Sequence, residues 1–257
     1  MKETLSKQFF SQSELPEILN IAKSRIMTIV GAGGKTTLLH SLSLAFLEGS
    51  FKTLLTTSTH MMRPDSLSEA VFVEKEEVKM LYQAFRLSNL AALGLPCQRN
   101  AASPIKWASP SPDFLQNIAA LPDKIICEGD GSKGLPLKVP RSKEPVFYPG
   151  TDTVLGVIGL SALHRPVRDL VFGWEVSPIS LPELVTPELL VKIALSPRGL
   201  QKKVQKETFH VIFNQADTLE EEDYPAIASA AKKIRDNGVF CHIVSLKYSY
   251  FLKDPAR

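Results

Sequence analysis

Short apolar, β-branched runs alternate along the chain with segments whose apolar residues recur at helical spacing. The run 25–30 (Arg-Ile-Met-Thr-Ile-Val) predicts a strand, and the segment from Lys35 towards Glu48 and Gly49 predicts a helix. A second strand follows at 51–58, and a strand–helix–strand order of this kind brings its two strands parallel. Further strands are predicted at 70–74, 124–127, 152–160, 208–213 and 239–246, with helices at 76–85 and 219–235. The 152–160 run is apolar on both alternating faces, as in a central strand covered on both sides. Thr186-Pro187-Glu188 supplies a cap, an N1 proline and an early acid for a helix running to Ala194. The fold class that results is α/β, a mostly parallel sheet flanked by helices in three layers. Three regions fit less well. A short helix around 17–23 serves as a lead-in, and 88–112, with Gly94, Pro96, Pro104 and Pro110, reads as an excursion or small edge hairpin. The proline-dense stretch within 132–150 excludes a helix and reads as a loop insertion. The tail from Lys247 carries no pattern.

Length and composition narrow the class. With 257 residues, 44% of them apolar, the chain can bury a sizeable core, and the reading adopted is a single domain over 1–257. A net charge of +3 without a basic block predicts no nucleic-acid partner. Cys97, Cys127 and Cys241 are widely spaced and lack a Cys-x-x-Cys, so they read as reduced thiols, with Cys127 and Cys241 packed inside strands. No apolar run approaches the length of a bilayer span, which predicts a cytoplasmic protein without a membrane partner.

The first strand breaks into Gly31-Ala32-Gly33-Gly34-Lys35-Thr36-Thr37. Glycines let successive backbone N–H groups turn inward, and the helix opening at Lys35 adds its positive dipole end, so the loop can cradle a polyphosphate. Lys35 would reach the terminal phosphates, and the Thr36 hydroxyl would ligate the Mg²⁺ of a nucleoside triphosphate, GTP or ATP. Gly31 and Gly34 are separated by two residues instead of the usual four, so the loop is a shortened phosphate-loop variant in an NTPase-like fold.

Glu128 and Asp130 follow an apolar strand, where an acidic residue holds the metal or orients attacking water. Two residues apart on extended chain, they point to one side, and Gly131 would let the backbone approach the γ-phosphate. Thr59 and His60, at the end of the 51–58 strand, are candidates to hold Mg²⁺, a phosphate or a substrate. Lys133 and Lys138, with Arg141 and Lys143, suggest a site for an anionic second substrate. The 208–213 strand delivers Asn214-Gln215-Ala216-Asp217, similar to the Asn-Lys-x-Asp base-reading motif of GTP-binding proteins. There, Asp217 would pair with guanine in a way adenine cannot match, although Gln215 stands where a lysine is usual. Ser245, ending the last strand, is where a contact to the base is expected.

Taken together, the glycine loop, Thr56-Thr-Ser-Thr-His-Met61, Glu128-Gly-Asp-Gly-Ser-Lys-Gly134 with Pro136-Leu-Lys-Val-Pro140 and Glu144-Pro145, and Asn214-Gln-Ala-Asp217 resemble the YqeC family. That resemblance implies an accessory role in the maturation of selenium-dependent molybdenum hydroxylases or in selenium-cofactor biosynthesis. Glu128-Gly-Asp-Gly131 is also similar to the Glu-x-x-Gly of phosphate-loop GTPases that act as metallochaperones. By that likeness, Mg²⁺-dependent hydrolysis would time delivery of a cofactor to a client hydroxylase, with a homodimer among the partners left open. Two alternatives stand beside it. One is an ATP-dependent ligase or small-molecule kinase, since Gly-x-x-Gly-Lys-Thr-Thr is also similar to the amide ligases of cell-wall synthesis. The other is a carrier in which nucleotide only orders a binding surface.

Overall fold

The structure, a computed structural model, describes residues 5–98 and 105–253. A ten-stranded sheet runs Ser6–Phe9, Tyr250–Lys253, Phe240–Ser245, Thr208–Asn214, Thr153–Gly159, Ile26–Gly31, Lys124–Glu128, Thr53–Thr57, Leu90–Leu93 and Val71–Val73. From Phe240–Ser245 to Val71–Val73 every pairing is parallel, and the first two strands form an antiparallel edge. Alternation along Ile26–Gly31 shows how the layers assemble. Met27 and Ile29 face the helix Lys35–Glu48, which presents Leu38, Leu39, Leu42 and Phe46 to them. Ile26 and Val30 face the opposite layer, which holds the helices Val78–Leu87, Pro112–Ile118, Pro187–Leu195 and Tyr224–Asp236. The result is the expected three-layer α/β/α arrangement, a mostly parallel sheet with a strand, glycine loop and helix at its middle. Thr153–Gly159 lies beside Ile26–Gly31 and is buried throughout, as its two apolar faces require.

Several expectations need correction. The lead-in helix is Leu15–Ile18, not 17–23, because Asn20 takes a positive φ of 55° and the Ile21 N–H donates back to the Pro16 carbonyl (2.8 Å). The 88–112 excursion contains a genuine strand of the main sheet, Leu90–Leu93. Its hairpin, Leu95–Gln98 with Lys106–Ala108, joins His60–Met62 in a separate three-stranded sheet instead of lying on a main-sheet edge. Residues 99–104 of that excursion, Pro104 among them, lie outside the described residues. The patternless tail supplies Tyr250–Lys253, the second strand from that edge, and the edge strand Ser6–Phe9 outside it is exposed at every position and so carries no alternation to read. The Thr186 cap is present: its side chain accepts from the Leu189 N–H at 3.3 Å. Cys127 and Cys241 are buried, and neither forms a disulfide among the described residues. Among the described residues, no helix is long and apolar enough to cross a membrane.

Candidate functional site

The parallel strands all end on one edge of the sheet, where ligands gather in open α/β folds. Gly31, Gly33 and Gly34 follow Ile26–Gly31 with φ of 92°, 82° and 121°, a region that penalises any Cβ. Space is equally restrictive. A Cβ at Gly33 would collide with Gly159 and the Pro136 carbonyl, and one at Gly34 with the side-chain amide of Asn214. Not every expected donor in this loop faces outward. The Ala32 N–H donates to the Val157 carbonyl at 2.9 Å, and the Gly31 N–H donates to both Asp130 carboxylate oxygens at 3.1 and 3.2 Å. Among the described residues the N–H groups of Gly33 and Gly34 are left without a protein partner. They stand beside the first turn of the Lys35–Glu48 helix, where Thr36 and Thr37 are exposed.

Lys35 arches back over the loop. It is almost fully buried, and its Nζ donates to the Gly31 carbonyl at 2.8 Å and to Ser132 Oγ at 3.3 Å. The same ammonium lies 3.3 Å from Asp130 Oδ1 and 3.7 Å from Glu128 Oε1. Both acidic residues are therefore brought to Lys35, as their spacing on an extended segment predicts.

Their environments then separate them. Asp130 is fully buried and shared between two ammonium groups, Lys35 and Lys138, the latter 3.3 Å from Oδ2. With one N–H reaching both of its oxygens and two cations around it, it has no oxygen turned to the solvent side. Glu128 lines the open cleft, and burial pushes its carboxyl up to about 7 against the partial pull of Lys35 in the other direction.

Lys138 differs from its expected place. Its side chain is fully buried, 2.8 Å from Glu144 and 3.3 Å from Asp130, and it also donates to the Gly131 carbonyl. It is a counter-charge inside the protein, not a contact for an anionic substrate. The proline-dense stretch explains why: Leu137–Lys138 pairs with Val171–Phe172 and folds back over the acidic loop. Lys202 and Lys203 hold this stretch by donating to the carbonyls of Arg141 and Ser142 (2.6 and 2.9 Å) and of Lys143 and Pro145 (3.0 and 2.6 Å). Lys133 and His60 are exposed and line the cleft. Thr59 does not line it, and among the described residues its Oγ1 is buried without a hydrogen-bond partner.

The predicted base-reading residues assemble on the other flank. Asn214 Nδ2 donates to the Gly33 carbonyl at 2.9 Å, and its Oδ1 accepts from the Leu246 N–H at 3.1 Å. One side chain thus ties the glycine loop to the end of Phe240–Ser245. Ser245 Oγ donates to Asp217 Oδ1 at 2.6 Å, which orients that carboxylate. Gln215 has a left-handed φ of 66°, and its Oε1 accepts from Ser161 Oγ at 2.7 Å. Its side chain is thereby tied to the chain following Thr153–Gly159, and it lines the open cleft.

A cleft of about 640 Å³ opens from Gly33, Gly34, Lys35 and Thr36 across Glu128 to the small three-stranded sheet. Glu144 and Lys106 belong to it and were missed from sequence. Glu144 lies sixteen residues beyond Glu128, in a loop with no periodicity. Lys106 could have been found from Lys-Trp-Ala against His-Met-Met, two short alternating runs that bury Met61 and Trp107 and leave their neighbours outward.

Residues 27–175, more than half of the chain, match the family described as "YqeC protein". A protein of Escherichia coli (strain K12), described as "Uncharacterized protein YqeC", is 29% identical over 195 residues, 73% of this chain and 74% of its own length. Among solved structures, the hydrogenase maturation factor HypB from Archaeoglobus fulgidus aligns with 92% of this chain and 88% of its own, at 13% identity and a TM-score of 0.41.

Proposed function

The chain belongs to the YqeC family, and from that premise we propose that it binds a nucleoside triphosphate with Mg²⁺ and hydrolyses it. In this reading it serves as an accessory factor in the maturation of selenium- or molybdenum-cofactor hydroxylases. One observation carries the nucleotide reading. The Lys35 ammonium closes a glycine loop with unpartnered N–H groups and meets two carboxylates from the neighbouring strand end at 3.3 and 3.7 Å.

The chain's own groups divide the work. The N–H groups of Gly33 and Gly34 and the helix start bind the phosphates, and Lys35 exchanges its loop contacts for phosphate oxygens. Asp130 is a positioning residue. It accepts from the Gly31 N–H and divides its charge between Lys35 and Lys138, so that Lys35 is aimed into the cleft without being locked in an exclusive ion pair. Glu128 is the acid-base group at the cleft floor, with a proton affinity near neutrality suited to orienting and deprotonating water.

Thr36 presents an exposed hydroxyl to the cleft that Glu128 also lines; the hydroxyl fits as a direct ligand of a hard cation, and the carboxylate fits as a holder of that cation's water shell. Mg²⁺ held there supplies charge neutralisation on the phosphate oxygens. Of the three residues expected to serve the metal, Asp130 drops out, since both its oxygens are engaged within the protein, and Thr36 and Glu128 remain.

Asp217, oriented by Ser245, is read as selecting guanine over adenine, with Asn214 coupling base site to phosphate loop. Calorimetric titration of GTP and ATP, each with Mg²⁺, tests both parts. GTP should bind more tightly than ATP, and Lys35→Ala should lose most of the affinity for either. Undiminished binding by Lys35→Ala would end the nucleotide reading, and equal affinities for the two nucleotides would remove the role given to Asp217.

A further inference from the structure

We propose that the cleft holds a second site, next to the phosphate loop, for a small organic anion: a carboxylate or phosphate group carried on an apolar body. This deepens the nucleotide reading and rests on it, because the site is the part of the same cleft that a triphosphate leaves open. Asp217 and Ser245, which would read the base, do not line the 640 Å³ cleft. The volume extends instead to the far side of Lys35, towards His60–Met62 and Lys106–Ala108.

That far wall is rigid and chemically sided. In its register Met62 stands opposite Lys106 and His60 opposite Ala108. Strand alternation buries Met61 and Trp107, at 4% and 0% exposure, and leaves His60, Met62 and Lys106 outward, and these three line the cleft together with Met61. Trp107 anchors the wall. Its ring meets Phe72 edge-on at 5.9 Å, its Nε1 donates to Glu74 at 3.0 Å, and Gly94 lies so close beneath it that any Cβ would overlap the indole. The opposite wall carries Lys133. Positive φ at Lys133 (51°) and Gly134 (77°) form a tight turn that sets its ammonium 5.9 Å from the Phe172 ring centre.

Charge decides the class of ligand. The cleft's acidic residues are already answered, Glu128 by Lys35 at 3.7 Å and Glu144 by Lys138 at 2.8 Å. Lys106 and Lys133 have no ion pair among the described residues, so the charge left over is positive. Met62, 49% exposed, together with Leu135 and Phe172, adds an apolar surface that a phosphate chain has no use for. The residue that joins Lys133 is thus Lys106, and not Lys138 as the sequence suggests.

The test uses the full chain loaded with a non-hydrolysable GTP analogue and Mg²⁺, its loading measured first by calorimetry. 4-Fluorobenzoate and 4-fluorophenyl phosphate are then titrated separately and followed by fluorine NMR, which distinguishes a carboxylate from a phosphate ligand. One probe should bind saturably. In Lys106→Ala/Lys133→Ala that binding should weaken about ten-fold or more, while affinity for the nucleotide analogue stays within about two-fold. The proposal is overturned if neither probe binds the loaded protein or if the double variant binds them as the wild type does. Parallel loss of nucleotide affinity in the double variant would also overturn it, since the lysines would then serve the triphosphate. A wild-type chain that takes up no nucleotide fails at the first measurement, and both readings fall together.

Discussion

Replacing Glu128 with glutamine isolates the electrostatics at the cleft floor. Burial raises this carboxyl from its ordinary 4.5 to about 7, with Lys35 at 3.7 Å offsetting part of the desolvation and Asp130 adding repulsion. A group whose proton affinity rises on folding stabilises the fold fully below its unfolded value, and that contribution disappears as pH climbs through the folded value. The window is therefore from 4.5 to about 7. At about 1.36 kcal/mol per ten-fold change in proton activity, ionising Glu128 in the fold costs roughly 3 kcal/mol by pH 8. Glutamine keeps the shape and has nothing to ionise, while Lys35 retains Asp130 at 3.3 Å in either protein. Urea unfolding of wild type and Glu128→Gln at a series of pH values from 4 to 8 measures the difference. The gap between the two stabilities should move by about 3 kcal/mol across that range, in favour of the variant at high pH. Two curves that stay parallel within about 0.5 kcal/mol would refute both the raised proton affinity and the acid-base role built on it.

Asn214→Ala removes the ties to Gly33 and Leu246 and leaves both backbone groups unpaired. It should lower the free energy of unfolding by about 2–3 kcal/mol in urea titrations and weaken nucleotide binding in parallel. Lys138→Met strips a buried cation from Asp130 and Glu144 and should cost about 3–5 kcal/mol. Adding Asp130→Asn to it should restore part of that loss, and a simple sum of the two single effects would contradict the shared-carboxylate arrangement. His210 is buried beside Phe240, with ring centres 4.5 Å apart, and desolvation lowers its proton affinity from 6.5 to about 4. The stability it supplies is present above pH 6.5 and is lost as pH falls towards 4, so His210→Phe should flatten the acid limb of thermal-melting midpoints against pH.

Much of the site could be read from the chain because its signals are local. Glycines at 31, 33 and 34 and the lysine after them sit next to one another, and Glu128 and Asp130 are two residues apart on one strand end. Their meeting with Lys35 follows from two parallel neighbouring strands ending at the same level. Asn214 and Ser245 were likewise legible as strand ends. What escaped depends on long-range folding of stretches without periodicity. Lys138 and Glu144 lie among prolines, and only the pairing of Leu137–Lys138 with Val171–Phe172 turns one inward and brings it to the other.

The order of apolar runs and turn residues thus determined a parallel sheet between helices, with a glycine loop opening a helix at its carboxyl edge. Those are consequences of side-chain period and backbone freedom, which a linear sequence carries in full. Which ammonium faces solvent and which is spent on Asp130, which carboxylate lines the cleft, and what stands across from Lys35 were decided only in three dimensions. Burial and pairing are properties of neighbours brought together from distant parts of the chain, and a buried charge takes its chemistry from those neighbours.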